Sequence, residues 1–180
     1  MKHAPSFADP KSNILQMGLH EGMKVGDFGA GSGHYALAAA SIVGSTGRVY
    51  AVDVQEELLA PLQREAAARK LRNIETIWGD IERPAGTLLR DHALDAVILS
   101  NILFQLDDAK AALKEVKRVL KPGGKLLVVD WAGDYEGMGP AKERIVTEHT
   151  AEELCITGGF HKAKSFRAGP HHYSVLFTAP

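Results

Sequence analysis

Cysteine is nearly absent from this 180-residue chain, in which Cys155 stands alone. A single cysteine closes no intrachain disulfide and builds no multi-cysteine zinc site, which points to a reducing, cytoplasmic setting. Long uncharged apolar runs are also missing, and none reaches the ~18 residues that span a bilayer. Charge of one sign is not in excess: 21 Lys+Arg stand against 22 Asp+Glu, a formal net charge of −1. That balance excludes a strong whole-molecule field for gathering nucleic acid or anionic membrane. No repeat and no low-complexity tract is present, which removes solenoids and propellers. The start, from Met1 to Pro10, is polar and lacks the charged-then-apolar pattern of a signal peptide.

What remains is ordinary globular material, 45% hydrophobic and 24% charged, in a chain long enough to bury roughly 70% of its unfolded surface in one core. Short apolar runs bounded by Gly, Asp, Asn or Pro read as buried strands: 23–28, 48–53, 73–78, 94–99 and 125–130. Their two-sided apolar character suits a parallel sheet covered on both faces. Helical spacing alternates with them. A helix capped by Ser32 is expected to run to Val43, and a second, over 55–70, holds Pro61. The third, over 109–120, is capped by Asp107 and Asp108 and stopped by Pro122-Gly123-Gly124. Thr150 with Glu153 reads as a capping box for a fourth, closed by Gly158-Gly159. Finally 160–167 and 173–178 are strands joined too tightly for a crossover, so they pair antiparallel. The fold class is α/β, a three-layer Rossmann-like sandwich formed by one domain over 1–180, with ligands at the carboxyl ends of the parallel strands.

The first loop at that edge is Asp27-Phe28-Gly29-Ala30-Gly31-Ser32-Gly33. Its glycines allow a sharp turn and close approach of a ligand to a helix N-terminus. A dinucleotide fingerprint needs a further glycine where His34 stands, which disfavours a nicotinamide dehydrogenase. Asp53 ends the second strand, where a carboxylate is placed to accept both hydroxyls of a ribose or, more plainly, to cap the next helix. Gly79-Asp80-Ile81 ends the third, with Asp80 opposite an adenine amine and Ile81 beside the ring, or else as a simple turn.

Taken together these segments resemble the class I S-adenosylmethionine-dependent methyltransferases. Val25 to Gly33 looks like the family's first motif, Val49 to Val54 like its acidic ribose strand, and Gly79-Asp80 like its adenine contact. Leu94 to Asn101 looks like its fourth-strand motif and Leu120 to Leu126 like the turn before its fifth strand. The resemblance implies a seven-stranded sheet of order 3-2-1-4-5-7-6 and places the chain near the quinone-biosynthesis-like small-molecule group. It implies S-adenosyl-L-methionine as cofactor, with S-adenosyl-L-homocysteine as product. Its contacts would be Asp27, Gly29, Ala30, Gly31, Gly33, Asp53, Val54, Gly79, Asp80, Ile81 and Ser100.

Methyl transfer from a sulfonium is an in-line displacement governed by orientation, so a dedicated acid or base is optional. The candidates for one are His34, Asn101 and Asp130, with Ser100, Tyr35 and Trp131 nearby; each also has a bland reading as a solvated, pocket-shaping or core residue. His149 reads as a surface residue, and His171-His172 on a tight hairpin lacks a further metal ligand, so no metal is expected. Ser100-Asn101-Ile102-Leu103 departs from the Asn/Asp-Pro-Pro-aromatic sequence of base-amine methyltransferases. The cysteine count excludes paired-cysteine pyrimidine and multi-cysteine arsenic chemistry. A compact cap is expected from residues 1–22, anchored by Phe7, and from the loop 131–149. Lys162, Lys164 and Arg167, like Lys114, Lys117 and Arg118, read as solvated faces before they read as RNA contacts. The preferred acceptor is a small molecule. RNA or protein substrates, and a noncatalytic adenosyl-ligand-binding scaffold, stand as alternatives.

Overall fold

The computed structural model describes residues 8–135 and 137–180; the expected anchor Phe7 lies outside them. Helix α1 (Pro10–Met17) leads into β1 (Lys24–Phe28), α2 (His34–Val43), β2 (Arg48–Asp53), α3 (Glu56–Ala68) and β3 (Ile74–Trp78). Next come β4 (Leu94–Ser100), α4 (Ala109–Val119), β5 (Leu120–Trp131), α5 (Glu148–Thr157), β6 (His161–Arg167) and β7 (His172–Thr178). The sheet order is β3-β2-β1-β4-β5-β7-β6. Strands β1 to β5 are mutually parallel, while β7 runs against β5 and β6 against β7.

Strand alternation divides the core between the two faces of the sheet. Val25, Val49, Ala51, Ala96, Ile98, Leu127 and Val129 pack under α1, α2 and α3. Phe28, Val52, Val97, Leu99, Leu126, Val128 and Val175 pack under α4 and α5. Because β1 pairs with β2 on one side and β4 on the other, the strand order reverses there, and the crevice of a doubly wound sheet opens at that switch.

Several local expectations are corrected. Ser32 does not cap α2: Gly33 does, with a left-handed backbone and no side-chain bond, because the glycine turn carries Ser32 outward into solvent. Helix α5 starts before Thr150. Thr147 caps it by accepting the Thr150 N–H, which leaves Glu153 facing His149 one turn away. Asp108 caps α4 through the Ala111 N–H, and β5 begins at Leu120, five residues before the predicted start, because Leu120 already pairs with Leu94 ahead of a bulge. Helix α1 was not predicted, although Asp9 as cap, Pro10 in the first turn and Gly18 at the end spell it out.

No helix covers the passage from β3 to β4. Glu115 of α4 holds that stretch instead, accepting from the Ala85 and Thr87 N–H groups, the Thr87 hydroxyl and Arg118. Burial works to raise the Glu115 pKa, but the bonds from Arg118 and Thr87 outweigh it and bring it to about 2. A depressed folded-state pKa contributes stability above the ordinary carboxylate range that is lost as pH falls through 4.5 toward 2. With Arg118 partly exposed, the contribution is on the order of 2 kcal/mol. Urea unfolding between pH 2 and 7 is expected to show this acid limb in the native chain and a flatter one in Glu115→Gln; equal limbs would assign the acid sensitivity elsewhere.

Candidate active site

The glycine loop leaves β1 with the Gly29 and Ala30 N–H groups both donating to the Val52 carbonyl, at 2.8 and 3.0 Å. This binds the end of β1 to the end of β2. Two glycines then do different things. Gly33 has φ +78°, and a Cβ there would lie 2.2 Å from Leu62 Cδ1, so the absence of a side chain lets α3 close on α2. Gly31 has φ +52° with open space beside it, so the backbone itself forms a wall of the crevice.

Asp53 stands across from that wall. Its Oδ2 accepts the Gly31 N–H at 2.8 Å and its Oδ1 accepts the Gln55 N–H at 2.9 Å. The predicted capping role and the predicted site role therefore coexist, since each carboxylate oxygen retains a free lone pair. Asp53 and Val54 border a cavity of about 200 Å³ with Gly79, Asp80, Ile81 and Leu106. Asp80 is already engaged, taking the Glu82 N–H and an ion pair from Arg83. Ile81 belongs to the core as well as to the cavity wall.

A second cavity, of about 430 Å³, shares Gly29, Gly31 and Gln105 with the first and extends along Asp27, Ala30, His34, Tyr35, Ser100 and Asn101. Burial pushes the Asp27 carboxyl up to about 7, opposed by the Ala36 N–H and reinforced by the charge of Asp53. Its Oδ2 has no partner. A cationic group placed beside it would draw off its proton. Asn101 has a left-handed backbone, φ +55°, and a buried, unpartnered Oδ1. His34 is exposed at the mouth.

Asp130 lines neither cavity. It lies 1% exposed in the core, with one oxygen accepting the Trp131 N–H and the other the Leu103 N–H, and burial raises it to about 6. Its place beneath the turn after β4 makes it a tie between strand ends rather than a group open to a ligand.

Asn13 was missed by sequence reasoning. From α1 it donates to the Tyr35 hydroxyl at 2.9 Å and to the Ala168 carbonyl at 3.1 Å. The N-terminal helix is thus clamped over the second cavity. The hairpin lysines are occupied, Lys162 by Glu152 and Lys164 by Gln16. Among the described residues no cluster of His, Cys, Asp and Glu is arranged to hold a metal, and no helix is long and apolar enough to cross a membrane.

The family profile described as "Methyltransferase domain" matches residues 19–165, spanning the glycine loop, both acidic strand ends and the turn after β4. The chain belongs to the methyltransferase-domain family. A demethylmenaquinone methyltransferase of Staphylococcus aureus is 35% identical over 121 residues, 67% of this chain and 48% of the relative. A ubiquinone/menaquinone biosynthesis C-methyltransferase of Haemophilus ducreyi is 34% identical over 119 residues, 64% of this chain and 44% of the relative. The chain therefore spans about half the length of these curated relatives. Among solved structures, a SAM-dependent methyltransferase from Aquifex aeolicus superposes with a TM-score of 0.88 at 28% identity, covering 96% of this chain and 90% of that one. The two cavities lie at the carboxyl edge of the parallel strands.

Proposed function

We propose that the protein is an enzyme that binds S-adenosylmethionine across the two cavities and transfers its methyl group to a small-molecule acceptor. The observation that carries the reading is the Asp53 carboxylate, fixed by the Gly31 N–H, facing a crevice whose other wall is bare glycine backbone. The names of the relatives agree with it.

In this reading Asp53 accepts the ribose hydroxyls, while Val54, Gly79, Asp80 and Ile81 border the adenine. Asp27, the loop from Gly29 to Gly33, and Ser100 border the amino-acid end. Bound there, the sulfonium supplies an electrophilic methyl group. The protein's task is to hold an acceptor in line with it and keep water out, which can lower the barrier by ~7–11 kcal/mol when geometry is good. Asn101 Oδ1 and the Tyr35 hydroxyl are the polar groups available to orient the acceptor. The whole chain acts as one domain, with α1 bordering the second cavity through Pro10, while the loop expected beside the site lines neither cavity among its described residues. A cytoplasmic setting suits Cys155, whose buried thiol is pushed up to about 12 and so is inert. The occupied hairpin lysines give no support to an RNA substrate.

Calorimetric titration of the ligand-free protein with S-adenosylhomocysteine is expected to show saturable binding, and titration with NAD none. A folded protein that ignores the first ligand at millimolar concentration would overturn the reading.

A further inference from the structure

Of the chain's two tryptophans, Trp131 is buried, whereas Trp78 at the end of β3 is 63% exposed. Position explains why the core does not take it. Alternation along β3 puts Ile74, Thr76 and Trp78 on the face toward α3. Ile74 packs against the core there, and Thr76 bonds Gln63 of α3. Trp78, one step further on, stands level with Asp53 in the strand register, where α3 has not yet begun. Its ring adds little to the core, yet its polar end is in use: the indole Nε1–H donates to the Val54 carbonyl at 3.0 Å.

That bond adds a rung to the β2–β3 ladder. The Gly79 N–H donates to the Asp53 carbonyl at 3.0 Å, and the indole of the preceding residue takes the next carbonyl, that of Val54, beyond the end of β2. The peptide unit joining Val54 to Gln55 is then held at both ends, its C=O by Trp78 and its N–H by Asp53 Oδ1 at 2.9 Å. A peptide unit is planar, so two bonds on opposite edges fix its tilt.

Val54 is the residue that this tilt serves. It is 55% exposed and borders the cavity of about 200 Å³ with Asp53, Gly79, Asp80 and Ile81. Two γ-methyl groups leave valine stiff at χ1, so its backbone decides where the methyls stand. An apolar side chain left this open at the rim of a cavity gains by being covered, and a flat heteroaromatic base covers it. Trp78 lies outside the lining of that cavity, so it acts on a ligand through Val54 and not by contact. Loss of the indole N–H would hand the Val54 carbonyl to water instead of burying it unpaired, so the bond adds little to the stability of the fold.

We propose that Trp78 is a positioning residue of the cofactor site, its indole N–H setting the Val54 wall against which the adenine packs. The role rests on the methyltransferase reading, since that reading supplies the adenine.

The test is a double-substitution cycle, read by calorimetric titration of the full chain with S-adenosylhomocysteine. Trp78→Phe, which keeps a ring and removes the N–H, is expected to weaken the ligand about three- to tenfold. Trp78→His is expected to recover most of that loss, because the imidazole Nε2–H reaches the place of the indole Nε1–H in a five-membered ring of the same size. In a Val54→Ala background, Trp78→Phe is expected to add no further loss, because the wall that the bond positions is gone. Thermal melting verifies that each variant is folded. Native affinity in Trp78→Phe would overturn the proposal. So would additive losses in the cycle, which would show the indole acting elsewhere than through Val54, and so would a Trp78→His variant that recovers nothing, which would assign the loss to the bulk of the ring. A native chain that binds no S-adenosylhomocysteine would overturn the cofactor reading and this role with it, whereas native binding combined with any of those three results overturns the role of Trp78 alone.

Discussion

Gly33→Ala is expected to lower the thermal midpoint by roughly 10 °C, while Gly31→Ala lowers it by only a few degrees and abolishes S-adenosylhomocysteine binding. Both positions have a left-handed backbone, φ +78° and +52°, so alanine at either costs about 1–2 kcal/mol. The difference lies in what the new methyl meets. At Gly33 it would come within 2.9 Å of three atoms of Leu62, which is 1% exposed and has nowhere to swing. Overpacking of that kind adds about 1–3 kcal/mol. At Gly31 nothing stands within 4 Å, so the methyl enters the space assigned to the cofactor. Differential scanning calorimetry and ligand titration separate the two effects. Equal melting shifts would show that the Leu62 contact is not what Gly33 serves, and unchanged ligand affinity in Gly31→Ala would move the cofactor away from this wall.

Asp53→Ala is expected to weaken S-adenosylhomocysteine by about 10- to 150-fold, the equivalent of ~1.5–3 kcal/mol in charge-assisted hydrogen bonds. The structure adds a reason for the upper part of that range. Asp53 also holds the Gly31 and Gln55 N–H groups, so its removal loosens the loop that the ligand needs preorganised. Asp53→Asn, which retains one acceptor oxygen, is expected to fall between the native chain and the alanine variant. A folded Asp53→Ala protein with native affinity would reduce Asp53 to its loop-holding part.

The strands were legible because five apolar runs, each cut by Gly, Asp, Asn or Pro, leave little alternative to a covered parallel sheet, and the tight turn at Ala168 to His171 forces the last two strands to pair antiparallel. The helix starts were less legible. Ser32 and Thr150 are residue types that cap, but the glycine turn throws the first into solvent and Thr147 does the second's work three residues earlier. Helix α1 had a readable start in Asp9-Pro10 and a readable stop in Gly18; what its sequence does not show is the Asn13 bond that clamps it to Tyr35.

The alternation of strands and helices, the glycine loop and the acidic residues at strand ends follow from sequence alone, since they depend on local backbone demands and on spacing between neighbours in the chain; the order of the strands in the sheet was implied by the family resemblance. Burial and partnership do not follow from sequence. Only tertiary structure decides that Asp130, with two backbone N–H groups, is closed off in the core while Asp53, also holding two, borders a cavity, or that Glu115 holds the passage between β3 and β4 by gathering five donors. It alone brings His172 against Trp131, 41 positions away in the chain, with both ring nitrogens unpaired. The physical reason is that a polar side chain's role is set by what excludes water from it, and the excluding atoms come from segments distant in sequence.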